Sequence, residues 1–420
     1  MSWRQEGMCP GCPQPGAEQG FLSAMAGALA GALGPTEDSR HTFLRHTFLR
    51  HKLLNGRTDS FPHYFLTSLF FMILLRSGFV LLLGWLLPSA AQEVVTPRSV
   101  VSPMGRPEIV AQGRDLAAIA NALEALPEEG GTVFLPEGTY VLKGPVVLDR
   151  DNLTLRGMGP KTVLLTMDGS DCPVIVMGST ETPVHRMTRN LTVSDMTLDG
   201  NRMMQKQECW TGKCDEGGKS YIRNNCITVR GVEDSRIARI KATRGRSGGL
   251  VTEKVCRRLI VEDFEAWDNH FDGLACYETE ESVFTGLHLH HNQFAAVSLD
   301  IHFNKNAIVN SLLEHNGHQG IFMRDSSSNV FQNLVIRYNG GQGIFVAQVD
   351  DDASKACRDN VFSGIRAEHM GAEAFRINDA SCTGNILTNS VFMQNPQGDV
   401  SEVVPELILQ HKVKVAPALP

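Results

Sequence analysis

Between Gly245 and Ala347 the chain repeats one short phrase of apolar and polar residues. The copies are Gly245–Glu253, Asn269–Tyr277, Asn292–Asp300, Asn316–Arg324 and Asn339–Ala347, with starts separated by 24, 23, 24 and 23 residues, and a degenerate copy begins at His369. Each phrase opens on a turn and then alternates, which is the period of a half-buried strand. A second short β-branched or aromatic run recurs in every unit, at Leu259, Val283, Ile308, Val330, Val361 and Ile386. No unit holds a run of helical period, and the leucine-rich spacing is absent. A coil of about 23 residues built only from short strands is one rung of a solenoid, so the expected fold is all-β, a right-handed parallel β-helix.

The recurrent asparagines fit this picture. Asn269, Asn292, Asn316 and Asn339 head one turn, and Asn306, Asn329, Asn360 and Asn385 head another. Asn tolerates left-handed backbone and bonds neighbouring peptide groups, so stacked turns can share a ladder. A solenoid must also cover its ends. Asp115 to Leu126 places Leu116, Ile119, Ala120, Leu123 and Leu126 on one helical face behind an Asp115 N-cap, which predicts an N-terminal capping helix.

Alternation then sorts side chains. The column Leu250, Leu274, Val297, Ile321, Ile344 and the column Thr252, Cys276, Leu299, Met323, Val346 fill the interior. The positions between and beyond them face outward: Val251, Ala275, Ser298, Phe322, Phe345 and, two residues on, Glu253, Tyr277, Asp300, Arg324, Ala347. Four successive rungs thus offer an acid, a phenol, an acid and a cation about 4.8 Å apart, with Glu278, His302 and Asp325 just beyond. Aromatic platforms beside charged groups on a rigid scaffold suit a sugar polymer. A merely solvated outer face is the plain alternative.

The stretch Gly131 to Val141, followed by Leu153 to Gly157, resembles the opening of pectin-lyase-like β-helix proteins, and with the repeats the resemblance covers about residues 108–400. It implies a relative of polysaccharide lyases, uronate epimerases or galacturonan hydrolases. Lyases and epimerases abstract the proton alpha to a carboxylate, which needs a cation on the carboxylate, a base, and an acid on the other face. On that resemblance Arg324 clamps the uronate, Tyr277 and His302 exchange protons, and Asp300 tunes them. Glu253, Asp272, Glu278, Phe322, Asp325 and Phe345 would contact substrate. Asp300, eight residues after its Asn turn, resembles the placement in alginate epimerases. Their Asp-Pro-His run is replaced by Ala275-Cys276-Tyr277, and the hydrolases' Gly-His-Gly has no match at Gly317 to Gly320. Two other readings stay open: a non-catalytic glycan-binding or scaffold β-helix, and a glycoside hydrolase using Asp272, Asp300 and Glu278.

Composition narrows the partners. A net charge of −7 and a pI near 6.1 argue against nucleic acid. Arg76, the apolar run from Phe79 to Leu87 and the small residues ending at Ala91 form a secretory signal over residues 72–91. The expected product is secreted or periplasmic, off the membrane, with residues 1–71 a mis-called leader, 92–130 an N-terminal segment with the capping helix, 131–400 the β-helix and 401–420 a tail. Eight cysteines follow Ala91; Cys209 with Cys214, and Cys357 with Cys382, are the expected disulfides. No cofactor and no metal site is expected. Asp350 to Asp352 with Asp359 is the one calcium candidate, without EF-hand spacing, and His288, His290 and His291 lack a third kind of ligand. The long insert from Asn201 to Asn224 is expected to wall one flank of a groove.

Overall fold

The computed structural model describes residues 107–210, 222–406, 408–411 and 413–416. The leader and the signal segment lie outside the described residues. The chain winds as a parallel β-helix, each strand pairing with its equivalent one coil later. One face, the groove sheet, carries Ile227–Glu233, Leu250–Arg257, Leu274–Tyr277, Val297–Asp300, Ile321–Arg324, Ile344–Ala347, Phe375–Ile377 and Val400–Glu402. The register pairs Leu274 with Val297, Val297 with Ile321 and Ile321 with Ile344. The two predicted inward columns are therefore inside: Leu250, Leu274, Val297, Ile321, Ile344, Cys276, Leu299, Met323 and Val346 are all completely buried.

Each coil has a third face that the strand pattern did not separate. The second strand runs unbroken through Arg236–Thr243, Ile260–Trp267, Ala307–Glu314 and Val330–Arg337. It bends at one left-handed residue, namely Arg239, Asp263, Asn310 or Asn333, with φ of 50° to 54°. In two coils the bend falls on Gly286 (φ 64°) and Gly364 (φ 66°), and the strand splits there. A Cβ on Gly286 would lie 2.8 Å from Asp263 Oδ1, so the bare backbone is required by the stacked bend below it.

Both asparagine ladders form. Asn269 donates to Asn292 at 2.8 Å, Asn292 to Asn316 at 2.9 Å and Asn316 to Asn339 at 2.9 Å. Asn329 donates to Asn360 and Asn360 to Asn385, both at 3.0 Å. Every rung is buried, so each amide satisfies its neighbour in the absence of water. A helix spans Leu116–Glu124; Asp115 accepts the Ala118 N–H at 2.9 Å, and Ala118, Ile119, Ala122 and Leu123 are buried.

Three expectations need correction. The β-helix does not stop at residue 400, because Ile408–His411 pairs with Asn385–Thr388 and Lys414–Ala416 with Val391–Met393. It also begins earlier than residue 131, since Glu108–Val110 pairs with Gly131–Phe134. Cys357 and Cys382 are free buried thiols, bonded to each other by hydrogen bond and not by sulfur. Cys209 is disulfide-bonded; Cys214 lies outside the described residues.

Candidate functional site

The column Glu253, Tyr277, Asp300, Arg324, Ala347 runs along the groove sheet in the expected order. Arg230 pairs in register with Glu253, Tyr277 with Asp300, and Arg324 with Ala347. The interior columns beside them fix this phase, since one residue of slip would bury every charge. Along the column the charges fall into two opposite pairs. Arg230 Nε sits 3.0 Å from Glu253 Oε1, and Asp300 is ion-paired with Arg324. Tyr277 lies between the two pairs.

A cleft of about 410 Å³ opens beside Glu253 and Tyr277 of this column. Glu253, Asp272, Tyr277 and Glu278 line it, together with Arg223 and Lys254. Burial pushes the Asp272 carboxyl up to about 7, against an N–H from Ala295 at 2.8 Å that favours the ionised form. Burial also raises the Tyr277 phenol, and the Asp272 and Asp300 carboxylates raise it further. Glu253 is raised by burial as well, with Arg230 opposing. Acids whose environments push them towards neutrality inside a cleft mark a place where protons are handled.

The cleft wall is strained. Glu253 is followed by a bulge in which Lys254 and Val255 both adopt left-handed backbone, at φ 59° and 68°, and the pairing with Ile227–Glu233 shifts across it. Ile301 repeats this at φ 51° on the other wall. A left-handed β-branched residue costs on the order of 1–3 kcal/mol and persists only where its surroundings impose it. Here it carries Lys254 into the lining of the cleft.

The remaining candidates sit further along. Phe322 and Phe345 stack at 5.6 Å and 5°, with the Arg324 guanidinium 5.2 Å from the Phe322 ring centre. His302 is exposed and faces Asp325 across 3.3 Å; neither lines the cleft. In the calcium candidate, Asp352 is engaged by Ser354 and Lys355.

Sequence reading missed Arg223, Lys254 and a second aromatic row. Phe271, Phe294 and His318 each stand two residues after a ladder asparagine. Their rings follow one another at 5.1 and 4.9 Å, beside the cleft, with Arg223 5.4 Å from Phe271. That fixed offset was visible in the repeat. Arg223 was not, because it belongs to the return strand Ile222–Arg223 of the insert, antiparallel to Cys209–Trp210. Both ends of the insert line the cleft, as a walling segment should.

Fold and site together define an extended β-solenoid with a lined groove on one sheet, a right-handed parallel β-helix protein. Residues 249–402 match the family model of the right-handed beta helix region. Among curated proteins the chain is similar to the mannuronan C5-epimerase AlgE2 of Azotobacter vinelandii, 28% identical over 225 residues, covering 51% of this chain and 22% of that protein. It is 32% identical over 180 residues to AlgE1 of the same organism, covering 40% of this chain and 12% of that protein. The match thus spans well under a third of these relatives' length. Among solved structures, the AlgE4 A-module of A. vinelandii superposes with a TM-score of 0.53 at 17% identity, covering 74% of this chain and 94% of that one. A polygalacturonase from Erwinia carotovora gives 0.50 at 11% identity, covering 74% and 92%. At these identities the structural likeness speaks for the fold.

Proposed function

We propose that the groove binds an acidic polysaccharide and that the cleft inverts uronate units at C5 by proton abstraction and return. The observation that carries this reading is the half-buried Asp272, with a carboxyl pushed up to about 7, sharing a cleft with a phenol kept neutral and two cations. Arg223 or Lys254 neutralises the uronate carboxylate, which lowers the barrier to forming the carbanion beside it. Ionised Asp272 takes the C5 proton; the electron pair delocalises into the carboxylate. Tyr277 is fixed as the acid, since its raised phenol holds its proton, and it protonates C5 from the opposite face. Solvent then returns Tyr277 and Asp272 to their starting states. A base with a value near the working pH is the effective one.

The similarity to enzymes named as mannuronan C5-epimerases supports this substrate class. Elimination would share the first step and differ only in expelling the neighbouring glycosidic oxygen. The test is incubation with polymannuronate, polyguluronate and polygalacturonate in D2O, followed by proton NMR and ultraviolet absorbance. Deuterium at C5 with inverted residues supports epimerisation; unsaturated ends would assign a lyase. New reducing ends without unsaturation would indicate a hydrolase. Polymer binding without any C5 exchange would overturn catalysis and leave a glycan-binding β-helix. Export from the signal at residues 72–91 belongs to the same proposal, and expression from Met72 should yield a secreted chain beginning at Gln92.

A further inference from the structure

We propose a zinc site on the back of the solenoid, formed by Glu265, His288 and His290. His288 and His290 are separated by one residue on the strand His288–His290, so both rings leave the same face. Glu265 stands beside His288 in register on the preceding coil, and one donor atom from each of the three lies within 4.8 Å of the others. The third kind of ligand that the histidine run lacks in sequence therefore arrives from the neighbouring rung. Two imidazoles and a carboxylate are a donor set for zinc, which leaves a fourth position open.

The local bonds already arrange these donors. His290 Nε2 lies 3.4 Å from Glu265 Oε1, and His288 Nε2 lies 3.0 Å from Glu314 Oε1. Zinc bonds of about 2.0–2.1 Å place tetrahedral donors roughly 3.3 Å apart, so the His290–Glu265 contact already matches an edge of that polyhedron. In each case the other carboxylate oxygen is held by a cation. Lys241 binds Glu265 Oε2 at 2.6 Å and Arg337 binds Glu314 Oε2 at 2.7 Å, which leaves both Oε1 atoms turned to the histidines. His290 Nδ1 is hydrogen-bonded to His291 at 2.9 Å, and the Trp267 ring stacks on His290 at 5.9 Å. Partners of this kind fix ring orientation and tautomer around a bound metal. Glu314, one coil further on, stands in register with His290 and contacts His288 from beside the site. The ion would tie two consecutive coils together, on a face that takes no part in the groove chemistry.

The test uses the full chain, tag removed and stripped with chelator, titrated with Zn2+ by calorimetry and with Co2+ by absorption. The expected result is one saturable equivalent of zinc, a rise in melting temperature on loading, and a tetrahedral cobalt spectrum without a thiolate charge-transfer band. His290→Ala and Glu265→Gln should each weaken binding at least tenfold and abolish the zinc-dependent rise in melting temperature. The metal-free melting temperature of Glu265→Gln guards against a folding defect. Absence of saturable binding, a thiolate band, or binding that survives both substitutions would overturn the site and leave a solvated ion-pair network.

Discussion

Two carboxylates, Glu233 on the groove sheet and Asp272 in the turn leading into it, are shifted in opposite directions. At the corner where the strand Ile227–Glu233 ends, Glu233 is ion-paired with Arg189 and lies 2.6 Å from Arg258. Burial opposes its ionisation, yet the two guanidiniums outweigh burial and hold it below the usual carboxylate range. In the cleft, Asp272 is pushed up to about 7, because burial there is offset only by the Ala295 N–H and the weaker pull of Arg223. Desolvation is common to both; the number of cations in contact decides the sign. The first arrangement contributes stability, and the second gives some up in return for a group able to move a proton near neutral pH.

The comparison presupposes one shared interior, and its largest test breaks that. Ile321 is completely buried between Val297 and Ile344 in the inward column. Ile321→Asp places an unpaired charge there at a penalty of several kcal/mol. Far-ultraviolet dichroism and denaturant melts should show loss of the native transition. An unchanged melt would mean that the inward and outward phases are exchanged.

Next in size is the loss of the cleft's base. Asp272→Asn should reduce C5 exchange by about 10²- to 10⁴-fold. It should also stabilise the protein, in a window whose sign follows from the shift. The folded carboxyl titrates at about 7 and the unfolded one at 3.8, so the native state holds a proton that the unfolded chain releases. Stability therefore falls as pH rises from about 4 to 7. The variant should match the parent at pH 4 and exceed it by an order of a few kcal/mol at pH 8, read from denaturant midpoints. Equal stability at both pH values would remove Asp272 from the comparison.

Glu233→Gln should behave in mirror image. Its folded carboxyl lies below the ordinary 4.5, so its contribution is present above that value and lost as pH falls through the folded one. At pH 7 the substitution should cost about 1–3 kcal/mol, since it strands two arginines beside a buried amide. Once the pH has fallen through the folded value, the parent should melt like the variant. A variant that is destabilised equally at both ends would point to lost packing and not lost charge.

How far the sequence announces each region has a physical reason. The inward columns, the asparagine ladders and the outward file of Glu253, Tyr277, Asp300 and Arg324 are set by a period of two within a repeat, so counting finds them. The third face of each coil escaped, because a single left-handed residue such as Asn310 bends a strand without interrupting its alternation. Within the cleft, Tyr277 and Glu253 follow from the count, whereas Lys254 depends on a bulge and Arg223 on the return strand of an insert. Periodicity carries no record of either. The strength of the Asp272 shift was also hidden, since burial inside a cleft depends on walls drawn from distant parts of the chain.

The smallest effect separates the two roles open to Arg324. A clamp on the reacting sugar was its expected part, yet its guanidinium is ion-paired with the buried Asp300 and lies three rungs along the sheet from Glu253, two from Tyr277 and one from Asp300. From there it reaches a neighbouring sugar unit more readily than the one over Asp272. Arg324→Ala should raise KM for polymer several-fold and leave kcat nearly intact, the mark of binding shared by ground and transition states. Stability should fall by about 1 kcal/mol, because Asp300 is left without its cation. Pairing it with Asp300→Asn should recover part of that loss, and the double-mutant cycle should return a coupling near 1 kcal/mol. A hundredfold fall in kcat would restore Arg324 to the reacting sugar and move the cleft's chemistry along the groove. No coupling and no change in KM would make the pair a solvated contact, leaving substrate recognition to Arg223, Lys254 and the row of Phe271, Phe294 and His318.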